Sequence, residues 1–427
     1  MEFEVLHRSK KKKFIIAGCF LVVILVAIVL GITFAKYRVA RSIPLASGTI
    51  NYVPYDFSIL AMYQQNDSGE YEEVTIMPDA SSYTINTEQS YCNVNGTKDG
   101  NAVLETIDGH HTIANLQVGS KCYVYFDTST ASSPGDTILG NVEVNEGTPN
   151  FSQTATTDEG VYKTEDNLGT SYYFRGAVTN NYVSFAGYYW RIIRINGDGS
   201  IRIIYDGTNA HANGESSTDR QTGTSAYNSS YNQSYYVGYT WTSAQRPSSQ
   251  NSGTASTIKG VLDTWYSTNI SGKGLDDKVV SSPGFCNDRN TASGSNWVSS
   301  GTTFYYAAYG RLVSAKTPTL ECSNTNDIYT TKVGLITADE VSMAGGVYGT
   351  SNSSYYLYTG QYYWTMSPYN FGVGSSNSWA NVFYVGSNGY LSSNNVGGTF
   401  GVRPVLNLSA DVTLTGSGTQ TDPYVVS

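Results

Sequence analysis

The residues that could carry acid–base or nucleophilic chemistry are few in this chain. It has four histidines in 427 residues, and only His211 follows residue 158, so a Ser-His-Asp or Cys-His relay would have one candidate base there. A glycosidase needs two carboxylates flanking the scissile bond, and nothing in the spacing of the loop acids indicates such a pair. Those acids are Asp263, Asp276, Asp277, Asp288, Glu321 and Asp327. We therefore predict no catalytic residue and do not expect an enzyme.

The common catalytic and cofactor motifs are also absent from the sequence. It contains no GxSxG, no HExxH, no P-loop and no dinucleotide fingerprint. Asp339 and Glu340 are adjacent acids, but Glu340 follows Thr337 at the spacing of a helix capping box. Acids at a helix start usually serve as cap and dipole residues, and we interpret this pair in that way. No cofactor is predicted.

Cysteine usage indicates an oxidising compartment. Cys19 lies inside a long apolar run, where it serves as a small apolar side chain. The other four are even in number and allow three pairings. We favour a local pairing within each of two domains, because a domain boundary falls between the pairs: Cys92–Cys122 and Cys286–Cys322. No CxxC or Cys/His cluster is present, so no metal site is predicted.

Binding without reaction is indicated by the stretch between Trp364 and Thr399, where most residues are Tyr, Asn, Ser or Gly. Tyrosine offers a large rigid contact area at low entropic cost, and Ser, Asn and Gly offer adaptable hydrogen bonds, as in antibody paratopes. We predict a ligand-binding face made by Tyr369, Asn370, Asn377, Asn381, Tyr384, Asn388, Tyr390 and Asn394.

A stiff strand, "TFGVRPVLNL" at 399–408, follows that stretch. Its valines and leucines predict a core strand that holds the polar face in place. Pro404 cannot donate a ladder hydrogen bond, so we expect an edge strand or a bulge there. Arg403 is predicted to be structural, satisfying carbonyls or an acid beneath the surface. Trp364 is likewise predicted to belong to the core.

The N-terminal "KKKKFIIAGCFLVVILVAIVLGITFAKYR" predicts a membrane segment. Phe14 to Ala35 carry no charge, and a helix of that length crosses a hydrocarbon layer of about 30 Å. The basic residues before it place the N-terminus in the cytoplasm. We predict a cytoplasmic tail at 1–13, a single-pass membrane helix at 14–35 and a linker at 36–50, with the later domains outside the cell. A cleaved signal peptide, whose apolar region should be shorter, is the alternative.

The uneven distribution of charge along the chain indicates which classes of partner it can bind. Residues 1–41 hold eight of the 25 Lys/Arg and two of the 34 Asp/Glu, so the rest of the chain carries 15 more acidic than basic residues. Nucleic-acid binding needs a basic surface, so we expect no nucleic-acid partner. The expected partners are the membrane, through 14–35, and an extracellular glycan or protein.

The remaining chain predicts two domains. Residues 51–128 read as short strands separated by turn residues, which is typical of an all-β sandwich module. Residues 129–158 lack periodicity and read as a linker. Residues 159–427 contain a hairpin around "NGDG" (196–199), helices near 256–270 and 338–345, and then strands again, which indicates an α+β domain.

Several ordered motifs carry a family resemblance: "SYYFRGAVTNNYVSFAGYYWRIIRINGDGSIRIIYDGT", "KVGLITADEVSMAGG", "YYWTMSP" and "GVRPVLNLS". Over about residues 160–427 the chain resembles an uncharacterised exported-domain family of Gram-positive bacteria. That family is similar to the C-type-lectin fold, in the branch of formylglycine-generating-enzyme-like domains and retroelement variable proteins. The resemblance implies a C-type-lectin-like domain at 159–427, preceded by a small β module.

The family's known activities fit this sequence poorly. No cysteine follows Cys322, so the C-terminal copper-binding pair of formylglycine-generating enzymes is missing. The calcium-dependent sugar motifs Glu-Pro-Asn, Gln-Pro-Asp and Trp-Asn-Asp are missing too. We expect a membrane-anchored, adhesin-like binding protein of the cell surface. The alternatives are a cell-wall- or glycan-acting hydrolase that uses loop carboxylates, and a structural envelope protein.

Overall fold

The computed structural model describes residues 58–66, 68–80, 82–107, 110–128, 133–231, 233, 235–241, 253–292, 303–374 and 378–427. The predicted tail 1–13, membrane helix 14–35 and linker 36–50 lie outside these residues, as do residues 51–57 of the predicted β module. Of the helices in the described part, none combines the length and apolarity that a membrane crossing needs. All described residues belong to one unit, Asp56–Ser427.

The N-terminal module is built from strands whose side chains alternate. The last of them reads KCYVYFDT, with Cys122, Val124 and Phe126 buried and their neighbours more exposed, because successive strand residues face opposite sides. Its described strands are β1 Ser58–Gln65, β2 Tyr71–Val74, β3 Tyr83–Ile85, β4 Tyr91–Val94, β5 Thr97–Lys98, β6 Val103–Ile107, β7 His110–Ala114 and β8 Lys121–Thr128.

These strands form one sheet and one hairpin. In the described residues the sheet has the order β2-β1-β8-β4-β5, with β3 also paired to β8. β1 and β8 are parallel. The hairpin β6–β7 contributes Leu104 and Ile113 to the core of Met62, Val124 and Phe126. The layer facing the sheet is therefore a hairpin, where a sandwich would have a second full sheet.

Both predicted disulfides are confirmed. Cys92 and Cys122 occupy directly paired positions of β4 and β8, with their Cα atoms 4.0 Å apart. Cys286 and Cys322 are bridged with a Cα separation of 5.6 Å. The first bridge is buried, so it connects the neighbouring strands β4 and β8 on the core-facing side of the sheet.

Replacing Cys92 and Cys122 together by alanine is expected to lower the free energy of unfolding of the module by about 3 kcal/mol. The bridge closes a loop with a sequence separation of 30 residues, and its loss gives the unfolded chain more conformational freedom. Urea denaturation of oxidised protein would measure the change. Reductant should shift the midpoint of the wild type more than that of the variant, which keeps only the Cys286–Cys322 bridge. An unchanged midpoint in the oxidised variant would contradict the prediction.

The larger domain contains most of the described strands. In chain order they are β9 Val144–Asn145, β10 Asp158–Asp166, β11 Gly169–Gly176, β12 Tyr182–Phe185, β13 Tyr188–Ile195, β14 Ile201–Gly207, β15 Thr224–Ala226, β16 Thr240–Trp241, β17 Thr254–Ala255, β18 Val279–Val280, β19 Phe285–Cys286, β20 Thr303–Tyr305, β21 Ile328–Tyr329, β22 Val333–Gly334, β23 Tyr363–Gly372, β24 Trp379–Val385, β25 Leu391–Asn395, β26 Thr399–Gly401, β27 Val405–Leu408, β28 Leu414–Thr415 and β29 Tyr424–Val426.

The described helices are short. They are α1 Pro134–Leu139, α2 Thr257–Asn269, α3 Ala307–Tyr309 and α4 Ala338–Met343. A π-helical turn, Gly310–Ala315, continues α3. Single 3-10 turns lie at Thr218–Arg220, Ser271–Lys273, Asp276–Lys278 and Thr325–Asp327. Thr337 and Glu340 form the predicted capping box at the start of α4.

Two sheets dominate this domain. Among the described residues, eleven strands join in one sheet, whose main path is β18-β27-β14-β13-β11-β10-β9. A second sheet has the order β15-β26-β23-β24-β25, with β20 paired to β23. The hairpin predicted around Asn196–Gly199 is confirmed as β13–β14. Ile138 of α1 is fully buried in the same core as Trp190, so part of the segment predicted as a linker belongs to this domain.

The expected α+β C-type-lectin-like fold is wrong. Of the described residues, 40% lie in strands and 14% in helices, so the structure is mostly β. The two predicted helices exist, but α2 has 13 residues and α4 only six. Capping residues show where a short helix begins, but they do not show how many strands join a sheet. Here the β-branched runs of residues 188–195 and 201–207 pair within a large sheet.

Candidate binding surface

The predicted face lies on the second sheet, where β23 pairs with β24 and β24 with β25. The tight turn between β24 and β25 is closed by the Gly386 N–H, which donates to the Tyr390 carbonyl at 2.8 Å. Gly389 has a φ of 79°, in the left-handed region that favours glycine. This turn brings Tyr390 back over Gly386, where a Cβ atom would stand 2.2 Å from the tyrosine ring.

Four aromatic residues on this sheet form what we call the aromatic strip: Tyr362, Tyr384, Tyr390 and Phe400. The Tyr362 and Phe400 rings stack with centroids 5.4 Å apart, and the Tyr384 ring lies 4.8 Å from Phe400. The hydroxyls of Tyr384 and Tyr390 are hydrogen bonded at 3.0 Å. That bond, with burial, raises the pKa of Tyr390 to about 12. The rings of the strip are therefore held in place by contacts with one another.

The four side chains of the aromatic strip differ in their exposure to solvent. Tyr362 is 43% exposed, Tyr390 and Phe400 are half-buried, and Tyr384 is only 7% exposed. The Tyr384 ring is covered by Phe400 and Tyr362, which pack against it, and its role in ligand contact stays a prediction. Sequence reasoning missed Tyr362 and Phe400, although "YYW" and "TFG" place an aromatic residue at each end of the predicted stretch.

A second group of rings, the tyrosine cluster, consists of Tyr305, Tyr309, Tyr348 and Tyr369. Tyr305 and Tyr309 stack with centroids 3.9 Å apart, and Tyr348 and Tyr369 are nearly parallel at 5.8 Å. The Tyr348 and Tyr369 hydroxyls are 2.9 Å apart. Burial raises the pKa of both Tyr309 and Tyr369. All four rings are half-buried.

The strip and the cluster lie on opposite faces of the sheet. Phe383 contacts Tyr369 at 4.9 Å, whereas its neighbour Tyr384 contacts Phe400. Adjacent residues of a strand point to opposite sides, so the two groups of rings are separated by β24 itself. The predicted residues that the structure describes therefore do not all share one face.

The predicted asparagines are more dispersed. Asn381 Nδ2 donates to Asn370 Oδ1 at 2.9 Å across the β23–β24 pair, and Asn370 is 6% exposed. Asn388 is exposed in the turn and donates to Ser351 Oγ at 2.7 Å. Asn394 is exposed on β25. Asn377 lies outside the described residues.

Trp364 and Arg403 are both buried; Trp364 belongs to β23, and Arg403 lies between β26 and β27. The Trp364 ring is fully buried, and its Nε1–H donates to the Ser225 carbonyl at 2.9 Å. Arg403 donates to the carbonyls of Tyr205 and Leu357 and to the Asp206 carboxylate. The strand after Pro404 differs from expectation, because β27 begins at Val405 and pairs with β14 on one side and with β18 and β22 on the other. Pro404 thus precedes the ladder, and β27 is not an edge strand.

A separate cleft brings together charged side chains, of which the sequence analysis named Asp288, Asp339 and Glu340 but not the arginines. We call it the arginine–acid cleft and define it by Asp166, Arg194, Arg202, Asp288, Arg311, Asp339 and Glu340. Arg194 contacts Asp166 at 2.6 Å and Glu340 at 3.0 Å, and Arg202 lies 3.0 Å from Glu340. Arg311 contacts both Asp288 and Asp339. A signal did exist: Arg194 and Arg202 stand in strands that are otherwise almost wholly apolar.

The acids named in the sequence do not assemble in one place. Asp288 and Glu321 line the arginine–acid cleft. Asp263 pairs with Lys259, Asp276 with Lys332, and Asp327 with Arg289. Asp277 is exposed. Of these six acids, only Asp288 and Glu321 lie in the same cleft and could form the carboxylate pair that a glycosidase needs.

His211 is held between two carboxylates. Its Nδ1 lies 2.7 Å from Glu215 Oε1, and its Nε2 lies 2.9 Å from Asp219 Oδ2. The hydrogen bond with His211 lowers the pKa of Glu215. Asp219 also accepts hydrogen bonds from Thr208, so the three side chains tie one loop together. In the part of the chain that the structure describes, no group of three or more His, Cys, Asp or Glu is placed to hold a metal ion.

Comparison of the chain with known proteins identifies no relative. No family model matches the chain, and neither the curated proteins nor the solved structures contain a match. The candidate surface therefore rests on its own residues.

Proposed function

We propose that this chain is a membrane-anchored protein of the cell surface that binds a glycan or a protein and catalyses no reaction. The observation that carries the proposal is the aromatic strip of Tyr362, Tyr384, Tyr390 and Phe400. Aromatic rings that are already ordered lose little conformational entropy on binding, and the faces of aromatic rings suit sugar rings and apolar side chains. Exposed Asn388 and Asn394 on the same hairpin supply adaptable amides.

The location is proposed from chemistry elsewhere in the chain. The uncharged run at 14–35 after a basic tail supports anchoring with the later domains outside the cell. Two disulfide bridges support an oxidising compartment, because cytosolic thiols are kept reduced. The acidic excess beyond residue 41 argues against a nucleic-acid partner.

A hydrolase is the second candidate, since several carboxylates do converge in the arginine–acid cleft. Two-carboxylate hydrolysis needs a protonated acid and an ionised partner on either side of a bond. In the cleft the four buried carboxylates each contact an arginine, and the enclosed room is about 40 Å³. Carboxylates that are paired with arginines in so small a space favour a structural ion-pair network over a site that cleaves a sugar chain. A structural envelope protein, the third candidate, has no need of an ordered aromatic strip.

The test is a glycan and protein array probed with the full chain in detergent micelles, followed by variants of the strip. We expect Tyr362→Ala and Tyr390→Ala each to weaken binding by about tenfold or more, as truncated aromatic hot spots do. Tyr91→Ala is the matched control, because Tyr91 stacks on Tyr123 in the N-terminal module, away from the strip. Absence of any ligand, or full binding by both strip variants, would refute the proposal.

A further inference from the structure

Two residues of the arginine–acid cleft have buried polar atoms without a hydrogen-bond partner among the described residues. Arg202 is 2% exposed; its Nη1 donates to the Gly284 carbonyl at 3.1 Å, but its Nη2 has no acceptor. Asp288 is also 2% exposed; Arg311 binds its Oδ2, and its Oδ1 has no donor. Both residues line the same cleft. Buried polar atoms are almost always hydrogen bonded, so this unpaired donor and acceptor indicate a site.

The charges in the cleft form two groups of ion pairs that are unequally balanced. In the first group, Asp166 and Glu340 are balanced by Arg194 and Arg202. In the second, Asp288 and Asp339 share the single guanidinium of Arg311. Glu321, which is exposed, adds a further negative charge to the lining. The second group therefore keeps an excess negative charge, which favours a cation, while the unpaired Nη2–H of Arg202 can donate a hydrogen bond to an oxygen.

The size of the cleft restricts what enters it. The space that water-sized groups can occupy in the cleft is about 40 Å³, which holds roughly three waters, and the cleft opens to solvent. A whole sugar or peptide does not fit inside. A small end group does, with the rest of its molecule outside the opening. Phe285 stacks under the Arg202 guanidinium at 4.3 Å, so the donor is held in place.

We propose that the arginine–acid cleft binds a primary ammonium group that carries an oxygen acceptor on the neighbouring carbon. The ammonium donates to Asp288 Oδ1, and the oxygen accepts from Arg202 Nη2. Unacetylated amino sugars and the N-termini of peptides share this chemistry. The site is distinct from the aromatic strip, so the inference does not depend on the proposed function.

The test uses the full chain with small probes, and binding is followed by ligand-observed NMR. D-glucosamine and glycinamide carry the ammonium and the neighbouring oxygen; N-acetylglucosamine lacks the ammonium, ethylammonium lacks the oxygen, and acetate is an anion. We expect at least one of the first two to bind about tenfold more tightly than every control, as for a hydrogen bond to a charged group. Which of the two binds distinguishes a sugar from a peptide source. If neither binds, or if a control binds as tightly, the proposal is wrong and the cleft holds water only.

Variants assign the contacts. Asp288→Asn is expected to weaken binding of the successful probe by about tenfold or more, because the excess negative charge is removed. Arg202→Lys should weaken that probe but leave ethylammonium unchanged, since the oxygen contact alone is lost. Asp411→Asn, which alters an exposed carboxylate outside the cleft, should change neither. Full binding by a folded Asp288→Asn protein would overturn the assignment, and the wild-type probe comparison stands even if the variants unfold.

Discussion

Replacing Glu340 by alanine is expected to lower the free energy of unfolding of the larger domain by about 3–5 kcal/mol. Glu340 is 3% exposed, and its carboxylate lies 3.0 Å from both Arg194 and Arg202. Its other oxygen accepts hydrogen bonds from the backbone and hydroxyl of Thr337, so the cap of α4 is lost as well. Removing one carboxylate leaves two buried guanidinium groups short of a counter-charge.

The pH dependence of stability gives this prediction a second readout. Burial alone would raise the pKa of Glu340, but Arg202 and Arg194 hold it below the usual value of 4.5. The unfolded chain therefore takes up the proton first as the pH falls, and the stability that Glu340 contributes is lost as the pH falls through its folded pKa. Glu340→Gln should be less stable than wild type at about pH 7 and should approach it at about pH 3.

Chemical denaturation of wild type, Glu340→Ala, Glu340→Gln and Glu321→Ala would decide the matter. Glu321 is an exposed acid at the same cleft, and its removal should change stability by no more than about 0.5 kcal/mol. A Glu340→Ala variant as stable as Glu321→Ala would show that the arginines find other partners.

Replacing Asp206 by alanine is the second large effect, again about 3–5 kcal/mol. Asp206 is fully buried, and its Oδ1 lies 2.8 Å from Arg220 and 3.0 Å from Arg403. Both arginines are themselves buried, at no more than 1% exposed. The Asp206 carboxylate connects β14 to Arg403, which lies between β26 and β27. Its loss leaves the buried Arg220 and Arg403 without this counter-charge.

A double variant separates charge from packing. Adding Arg403→Met to Asp206→Ala should recover part of the lost stability, because one of the two unpaired cations is then removed. Thermal or urea unfolding of both proteins measures the recovery. If the double variant is less stable by the sum of the single effects, the ion pair is not what connects the two residues.

The elements that could be predicted from sequence are those specified by neighbouring residues. The β13–β14 hairpin follows from "NGDG" between β-branched runs, and α2 follows from its apolar spacing. Pairings between distant residues have no such local signature. β27 pairs with β14, some two hundred residues earlier, and that pairing makes β27 a central strand where Pro404 had suggested an edge.

The candidate surface was predictable in composition but not in geometry. The Tyr- and Asn-rich stretch does lie on one sheet, yet its residues are divided between two faces. The register of β23 against β24 shifts around Pro368, and a single shift changes which side chains are neighbours. The sequence did not reveal that Arg202 and Asp288 line one cleft, because they lie more than eighty residues apart and are brought together only by the fold.

The division of the rings by β24 has a mechanical consequence. Because the buried side chains of Phe383 and Tyr384 face opposite ways, a substitution at one position disturbs the rings packed on its own side of the sheet and leaves those on the other side in place. The packing of the two groups of rings can therefore be altered one group at a time.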